Sequence, residues 1–304
     1  MKRCGLLGEK LGHSYSPAIH AQLGDYAYRL YECPREKLGD FLKTGDFDGL
    51  NVTIPYKKAV IPYCAELSPI AQKLQSVNVL VRREDGTLYG DNTDAFGFES
   101  LLRHAGLDPK GKKCLVLGSG GASVTIQAVL RHLGAGSVTV ISRSGEDNYH
   151  NLARHQDAEL LVNTTPIGMY PNNGARLIDL DLLPQCRCVL DLIYNPARTR
   201  LLLDAEERKI RCENGLSMLV AQAKRAAELF TGKMIPDAVC TDILCTLERE
   251  MHNVILIGMP GCGKTSVGTL LAQRLGRPFF DADAEIERRL GCTIPAFFAR
   301  EGEN

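Results

Sequence analysis

One stretch constrains the fold more than any other: Lys113-Cys-Leu-Val-Leu-Gly-Ser-Gly-Gly-Ala-Ser-Val, running on through an apolar-periodic segment to Ser137-Val-Thr-Val-Ile-Ser-Arg-Ser. A buried strand, a glycine-rich turn, a helix and a second strand in that order form a βαβ unit of a parallel sheet. Gly118, Ser119, Gly120, Gly121, Ala122 and Ser123 occupy the turn. Glycines there let the backbone approach a diphosphate, whose charge the following helix N-terminus stabilises. A free ribose 2′-OH calls for Asp or Glu at the end of the second strand. This chain offers Ser142, Arg143 and Ser144 instead, a cation flanked by hydroxyls, which suits a 2′-phosphate and therefore NADP over NAD.

On either side the pattern also alternates. Upstream, CGLLG and GLNVTI read as strands, SPAIHAQLG as a helix behind a Ser-Pro start, and SVNVLVRREDGTLYGDN as a hairpin across Asp85-Gly86. PYKKAVIPYCAEL reads as a turn and short helix, and DAFGFESLLRHAG as an amphipathic helix. Downstream, AELLVNTT and RCVLDLIY are β-rich, with Cys186 and Cys188 expected on one side of a strand. Residues 216–250 are helical. After Met251 the sequence NVILIG, then GMPGCGKT, then RPFFDAD reads as a second strand–loop–helix–strand start. Its glycines Gly258, Gly261 and Gly263, with Lys264 and Thr265, complete the GxxxxGKT phosphate loop. In such a loop backbone N–H groups cradle phosphates, the lysine meets the β/γ oxygens and the threonine holds Mg²⁺.

The 304 residues carry 36 basic and 36 acidic side chains, so the chain lacks the basic excess that nucleic acid or an anionic membrane requires. No apolar run approaches the length of a membrane span, and the first residues do not read as a secretory signal. The 11 cysteines are odd in number and include no CxxC pair, which predicts reduced thiols in a cytoplasmic protein and no zinc ribbon.

Seven ordered motifs over residues 1 to about 250 then resemble shikimate dehydrogenase. They are Ser14-Tyr-Ser-Pro17, Asn51-Val-Thr-Ile-Pro-Tyr-Lys57, Val77-Asn78, Gly90-Asp-Asn-Thr-Asp94, the Gly-Ser-Gly-Gly-Ala turn, Asn163-Thr-Thr-Pro-Ile-Gly-Met169, and Asn214-Gly-Leu-Ser-Met-Leu-Val-Ala-Gln222. The resemblance implies a substrate domain over 1–107 with helices 216–250 returning to it, a Rossmann-like NADP domain over 108–215, and reversible NADPH reduction of 3-dehydroshikimate to shikimate. It assigns Lys57 and Asp94 as the catalytic pair, Lys57 as the proton carrier. Ser14 and Ser16 match carboxylate-binding hydroxyls; Thr53, Asn78 and Gln222 match ring-hydroxyl contacts; Tyr194 matches a residue near the carboxylate. Gly215 and Met218 match positions facing the nicotinamide, and His13 reads as structural. The chain departs from the pattern at Asp147, where a second basic residue is usual. It also departs in the short stretch Ser144–Val162, which predicts the loss of a βα unit. A quinate-accepting, NAD-using relative is the alternative, against which Ser16 and Arg143 stand.

Residues 252–304 resemble the start of shikimate kinase, with Asp281 near Mg²⁺ and Asp283 toward a shikimate hydroxyl. The motif Asp281-Ala-Asp-Ala-Glu-Ile286 and the pair Gly302-Glu303 carry that likeness beside the phosphate loop. A segment so short is marginal as an independent fold. The expectation is an incomplete P-loop α/β segment that would use ATP and Mg²⁺ only if completed. An ATP-dependent kinase with an N-terminal substrate-binding module is the reading from another enzyme class, and the intact Lys57 and Asp94 weigh against it.

Overall fold

The computed structural model describes residues 1–12 and 14–302; the reading of His13 and the Glu303 match lie outside them. The chain separates into two compact units, 1–251 and 252–304.

Unit one opens with β1 (Arg3–Gly8), α1 (Ser16–Leu23), β2 (Ala27–Glu32), α2 (Leu38–Thr44) and β3 (Gly49–Val52). It continues with β4 (Glu66–Leu67), α3 (Pro69–Leu74), β5 (Val79–Arg82), β6 (Leu88–Asp91) and α4 (Asp94–His104). The strands form one sheet, ordered β2-β1-β3-β5-β6-β4, with β5 and β6 as an antiparallel hairpin across Asp85-Gly86. Side chains alternate across it. Cys4 and Val79 face one core, whereas Leu7, Leu50, Val52, Leu80 and Leu88 face the other, as the two-residue period of a strand requires.

The second sheet is built from β7 (Lys113–Leu117), α5 (Gly121–His132), β8 (Ser137–Ile141), β9 (Leu160–Asn163), β10 (Cys188–Asp191), α6 (Arg200–Glu207) and β11 (Arg211–Glu213). It is wholly parallel, in the order β11-β10-β9-β7-β8. Both faces are covered: Cys114, Val116, Val162 and Leu190 on one side, Leu115, Leu117, Leu161 and Val189 on the other. That is why these strands read as unbroken apolar runs. Strand order reverses between β7 and β9, which opens a crevice at their C-terminal ends. Between β8 and β9 there is a single short turn of 3₁₀ helix, Leu152–His155, where the sequence predicted a missing βα unit.

Cys186 and Cys188 do not share a side. Cys186 precedes the strand and packs among Leu183 and Leu161, while Cys188 begins β10 on the opposite core. The expectation failed because it extended the strand two residues too far toward its start.

After β11 the chain returns through α7 (Leu216–Thr231) and α8 (Asp237–Met251). Leu216, Val220, Ala227 and Phe230 of α7, with Ile243 and Leu247 of α8, pack on Cys4 and Val79 of the first sheet and on Ile19 of α1. Met218 instead joins the core under the second sheet, beside Phe98 and Leu101 of α4. The axes of α4 and α7 come close because Gly97 has no side chain: a Cβ there would stand 2.8 Å from the Met218 carbonyl oxygen.

Unit two contains α9 (Lys264–Leu275), α10 (Ala282–Leu290) and α11 (Ile294–Glu301). The expected strands at NVILIG and RPFFDAD are absent among its described residues, so this segment is helical here rather than α/β. A strand needs at least one neighbour to bond its backbone N–H and C=O groups, and none is formed among the described residues of 252–302. Ile255 and Ile257 are accordingly 79% and 92% exposed.

Candidate functional site

The first site is anchored at the ends of three strands of the first sheet, β3, β5 and β6. Thr53 follows β3, its N–H bonded to the Leu7 carbonyl at 2.9 Å, and the turn beyond it carries Lys57. The Lys57 carbonyl accepts from Val77 N–H at 2.8 Å, which fixes the turn beside Asn78. Asp94 is the first residue of α4, placed by the Asn92 side chain, which accepts its backbone N–H at 3.1 Å.

These residues meet in a connected set. Lys57 Nζ donates to Asp94 Oδ2 at 2.6 Å, with the side chains 28% and 10% exposed. Asn78 Nδ2 donates to Asp94 Oδ1 at 2.9 Å and reaches Gln222 Oε1 of α7 at 3.4 Å. Asn78 Oδ1 accepts the Thr93 N–H at 2.7 Å, so its amide orientation follows from its partners. Residues 57, 78, 94 and 222, far apart in the chain, thus share one hydrogen-bonded cluster. Ser14 Oγ accepts the Ser16 N–H at 3.2 Å, and Tyr15 between them meets Tyr194 edge to face, ring centroids 5.8 Å apart. Burial raises the Tyr194 phenol above its ordinary value, with Tyr15 reinforcing the shift. Among the described residues, the serines and Thr53 make no hydrogen bond to Lys57.

At the switch point of the second sheet, Gly118 has φ +100°, and a Cβ there would lie 2.8 Å from Thr165 Cγ2. Nothing stands within 4 Å of a Cβ placed on Gly120 or Gly121, leaving open space in front of the α5 N-terminus, whose first turn has no acid. Ser119 and Ala122 are exposed beside it. Ser142 is buried at the end of β8, while Arg143 and Ser144 are exposed, and Arg143 makes no ion pair among the described residues. Gly215 seats the start of α7 against the second sheet: a Cβ on it would lie 2.1 Å from the Leu192 carbonyl oxygen. Beside it, between Leu216 and Met218, the buried Ser217 Oγ has no hydrogen-bond partner among the described residues. Cradle, open helix end, unpaired cation and orphaned hydroxyl together fit a nicotinamide dinucleotide bearing a 2′-phosphate.

Sequence reasoning missed Thr93, which clamps Asn78, and Ser217. Neither carries a local signal, since a threonine after Asp-Asn and a serine at a helix start are ordinary near a helix N-terminus.

In unit two, Gly261 and Gly263 adopt φ of +77° and +87°, and Lys264 Nζ donates to the carbonyls of Gly258 and Met259 at 2.8 Å each. Thr265 Oγ1 donates to Asp281 Oδ2 at 2.9 Å, which holds that carboxyl below its ordinary value. Asp281 also caps α10 through the Asp283 and Ala284 N–H groups. Among the described residues no cluster of His, Cys, Asp and Glu is arranged to hold a metal ion.

A family model for the shikimate dehydrogenase substrate binding domain matches residues 6–80, and one for the shikimate 5′-dehydrogenase C-terminal domain matches 215–245. The shikimate kinase model matches 260–304. A curated shikimate dehydrogenase (NADP(+)) of Clostridium perfringens is 34% identical over 253 residues, covering 76% of this chain and 93% of that protein. A solved chorismate mutase/shikimate 5-dehydrogenase fusion protein from Clostridium acetobutylicum superposes with TM-score 0.78 at 35% identity, covering 82% of this chain and 98% of the other. Shikimate 5-dehydrogenase from Thermus thermophilus, solved in complex with NADP(H) and shikimate, gives 0.73 at 32% identity, covering 81% and 99%. With its two-sheet architecture and a relative of this identity aligned along nearly its whole length, the chain belongs to the shikimate dehydrogenase family.

Proposed function

We propose that this chain is an NADP-dependent shikimate dehydrogenase that reversibly reduces 3-dehydroshikimate to shikimate, a step toward the aromatic amino acids. The observation that carries the reading is the Lys57–Asp94–Asn78–Gln222 cluster, a proton donor paired with a carboxylate that neutral amides hold in place. When bound, reduced nicotinamide supplies a hydride to the substrate carbonyl carbon. The oxygen then gains an electron pair, and the Lys57 ammonium gives it a proton, leaving a neutral amine that solvent reprotonates. Asp94 keeps the ammonium aimed, and its second oxygen is fixed by Asn78. In the oxidative direction the neutral amine takes the hydroxyl proton.

Asn78, Gln222 and Thr53 would bind ring hydroxyls, and Ser14, Ser16 and Tyr194 the carboxylate. Gly118, Ser119, Gly120, Gly121 and Ala122 would hold the diphosphate, Ser142, Arg143 and Ser144 the 2′-phosphate, and Gly215 and Met218 the nicotinamide side. A soluble cytoplasmic setting agrees with the free thiols and with the lack of any helix long and apolar enough to cross a membrane among the described residues. Initial rates over shikimate and quinate with NADP⁺ and NAD⁺ test the assignment; no reduction of NADP⁺ with shikimate overturns it.

For residues 252–304 we propose no phosphoryl transfer by this chain. Lys264 is engaged by its own loop, and the segment lacks a sheet among its described residues. ATP-dependent phosphorylation of shikimate by the purified chain would refute this.

A further inference from the structure

The loop after β8 sets two opposite charges close in sequence. Arg143 is exposed and without an ion-pair partner among the described residues, although Asp147 lies four positions on. The Asp147 carboxylate is engaged elsewhere. Its Oδ1 accepts from His155 Nε2 at 2.7 Å, the side chains 34% and 19% exposed, with His155 closing the short 3₁₀ turn.

The loop backbone is fixed independently of that contact. Ser142 N–H donates to the Asp147 carbonyl at 3.2 Å, Asn148 N–H to Asn151 Oδ1 at 2.8 Å, and Asn151 Nδ2 to the Glu146 carbonyl at 2.8 Å. Tyr149 tucks against the second sheet's core, and burial raises its phenol while the nearby Arg143 charge opposes the rise. Removing His155 would therefore leave Asp147 in the same loop with its carboxylate released. A released carboxylate can pair with Arg143 and also repels a dianion that Arg143 would otherwise bind.

We propose that His155 is a positioning residue for cofactor selection: by holding the Asp147 carboxylate, it keeps the Arg143 guanidinium free for a ribose 2′-phosphate. This rests on the NADP reading above. Like charges about 6 Å apart in water repel by roughly a factor of three per unit charge, so a dianion facing a released carboxylate loses roughly tenfold in affinity.

The test is calorimetric titration of the full chain with adenosine 2′,5′-bisphosphate and with AMP. His155→Ala should weaken the bisphosphate about tenfold and leave AMP within about twofold. His155→Gln, which keeps a donor, and the double variant His155→Ala/Asp147→Asn should each restore bisphosphate binding. The ratio of kcat/KM for NADP⁺ over NAD⁺ should follow the same order. Equal weakening of both ligands, or no restoration by Asp147→Asn, overturns the proposal by reducing His155 to a loop brace. Should His155→Ala fold poorly, His155→Asn, whose shorter amide falls short of Asp147, gives the same comparison. Arg143→Ala separates the two levels. If it leaves the bisphosphate-to-AMP ratio unchanged, the NADP reading itself fails; if it abolishes the ratio while His155→Ala does not lower it, only the role of His155 fails.

Discussion

Replacing Asp94 by asparagine changes one atom's chemistry and no volume, yet it should disable the reaction. Both carboxylate oxygens accept: Oδ2 from Lys57 Nζ at 2.6 Å, Oδ1 from Asn78 Nδ2 at 2.9 Å. An amide has one accepting end, so the Asp94→Asn side chain must turn an NH₂ toward either Lys57 or Asn78, donor against donor. Asn78 cannot flip to compensate, because its own oxygen accepts the Thr93 N–H. A hydrogen bond to a charged group contributes about 1.5–3 kcal/mol. With Lys57 28% exposed, the screened loss of stability is roughly 1–2 kcal/mol. The larger effect is on rate. A positioned proton donor contributes about 10²–10⁴-fold, and a lysine no longer aimed at the substrate oxygen forfeits most of it. Initial rates against shikimate at saturating NADP⁺ should show kcat down by about 10²–10³ for Asp94→Asn, close to the loss for Lys57→Ala, with far smaller changes in KM. Because the two residues act as one unit, the double variant should be little worse than Lys57→Ala alone. An Asp94→Asn enzyme within about threefold of wild-type kcat, or a double variant showing the product of the single losses, refutes the reasoning.

Three further outcomes follow from packing and charge. Gly97→Val would drive a side chain into the Met218 carbonyl and part α4 from α7; overpacking of this kind costs about 1–3 kcal/mol, and a melting curve should show a drop of several degrees with a raised KM for shikimate. Burial lowers the pKa of His20 from 6.5 to about 3, against a weaker opposing hydrogen bond from Asn51. The unfolded chain therefore binds this proton first, so its contribution is complete above pH 6.5 and is lost at about 1.4 kcal/mol per unit as pH falls toward 3. Urea unfolding across that range should show a flatter acid limb for His20→Phe, and an unchanged slope would contradict the burial argument. Finally, a chain ended after Met251 should keep its dehydrogenase rates, measured as above, because the catalytic cluster and both sheets lie in unit one; loss of activity would show that residues 252–304 contribute to it.

Legibility followed the range of the interactions. The β7–α5–β8 unit could be read because strand, turn and helix are consecutive and both strand faces are apolar. β2 went unread: Ala27-Tyr-Arg-Leu-Tyr-Glu lies on the sheet edge with Arg29 and Leu30 exposed, so its pattern is blunted. NVILIG misled for the converse reason, since a strand-like composition says nothing about whether a neighbour exists to pair with it. Lys57, Asn78, Asp94 and Gln222 were found through their flanking motifs rather than their spacing; nothing local relates residues 78 and 222. The Asp147–His155 contact was illegible, because eight residues of irregular loop obey no period.

The return of α7 and α8 to the first sheet has a consequence for synthesis. The core around Cys4, Ile19 and Val79 is closed by side chains from Leu216 to Leu247, so the first lobe cannot be finished until nearly all of unit one has emerged. The parallel sheet, contiguous from Lys113 to Glu213, is complete earlier in the nascent chain than the lobe that precedes it. During elongation β1 and α1 must wait, partly uncovered, for α7 and α8.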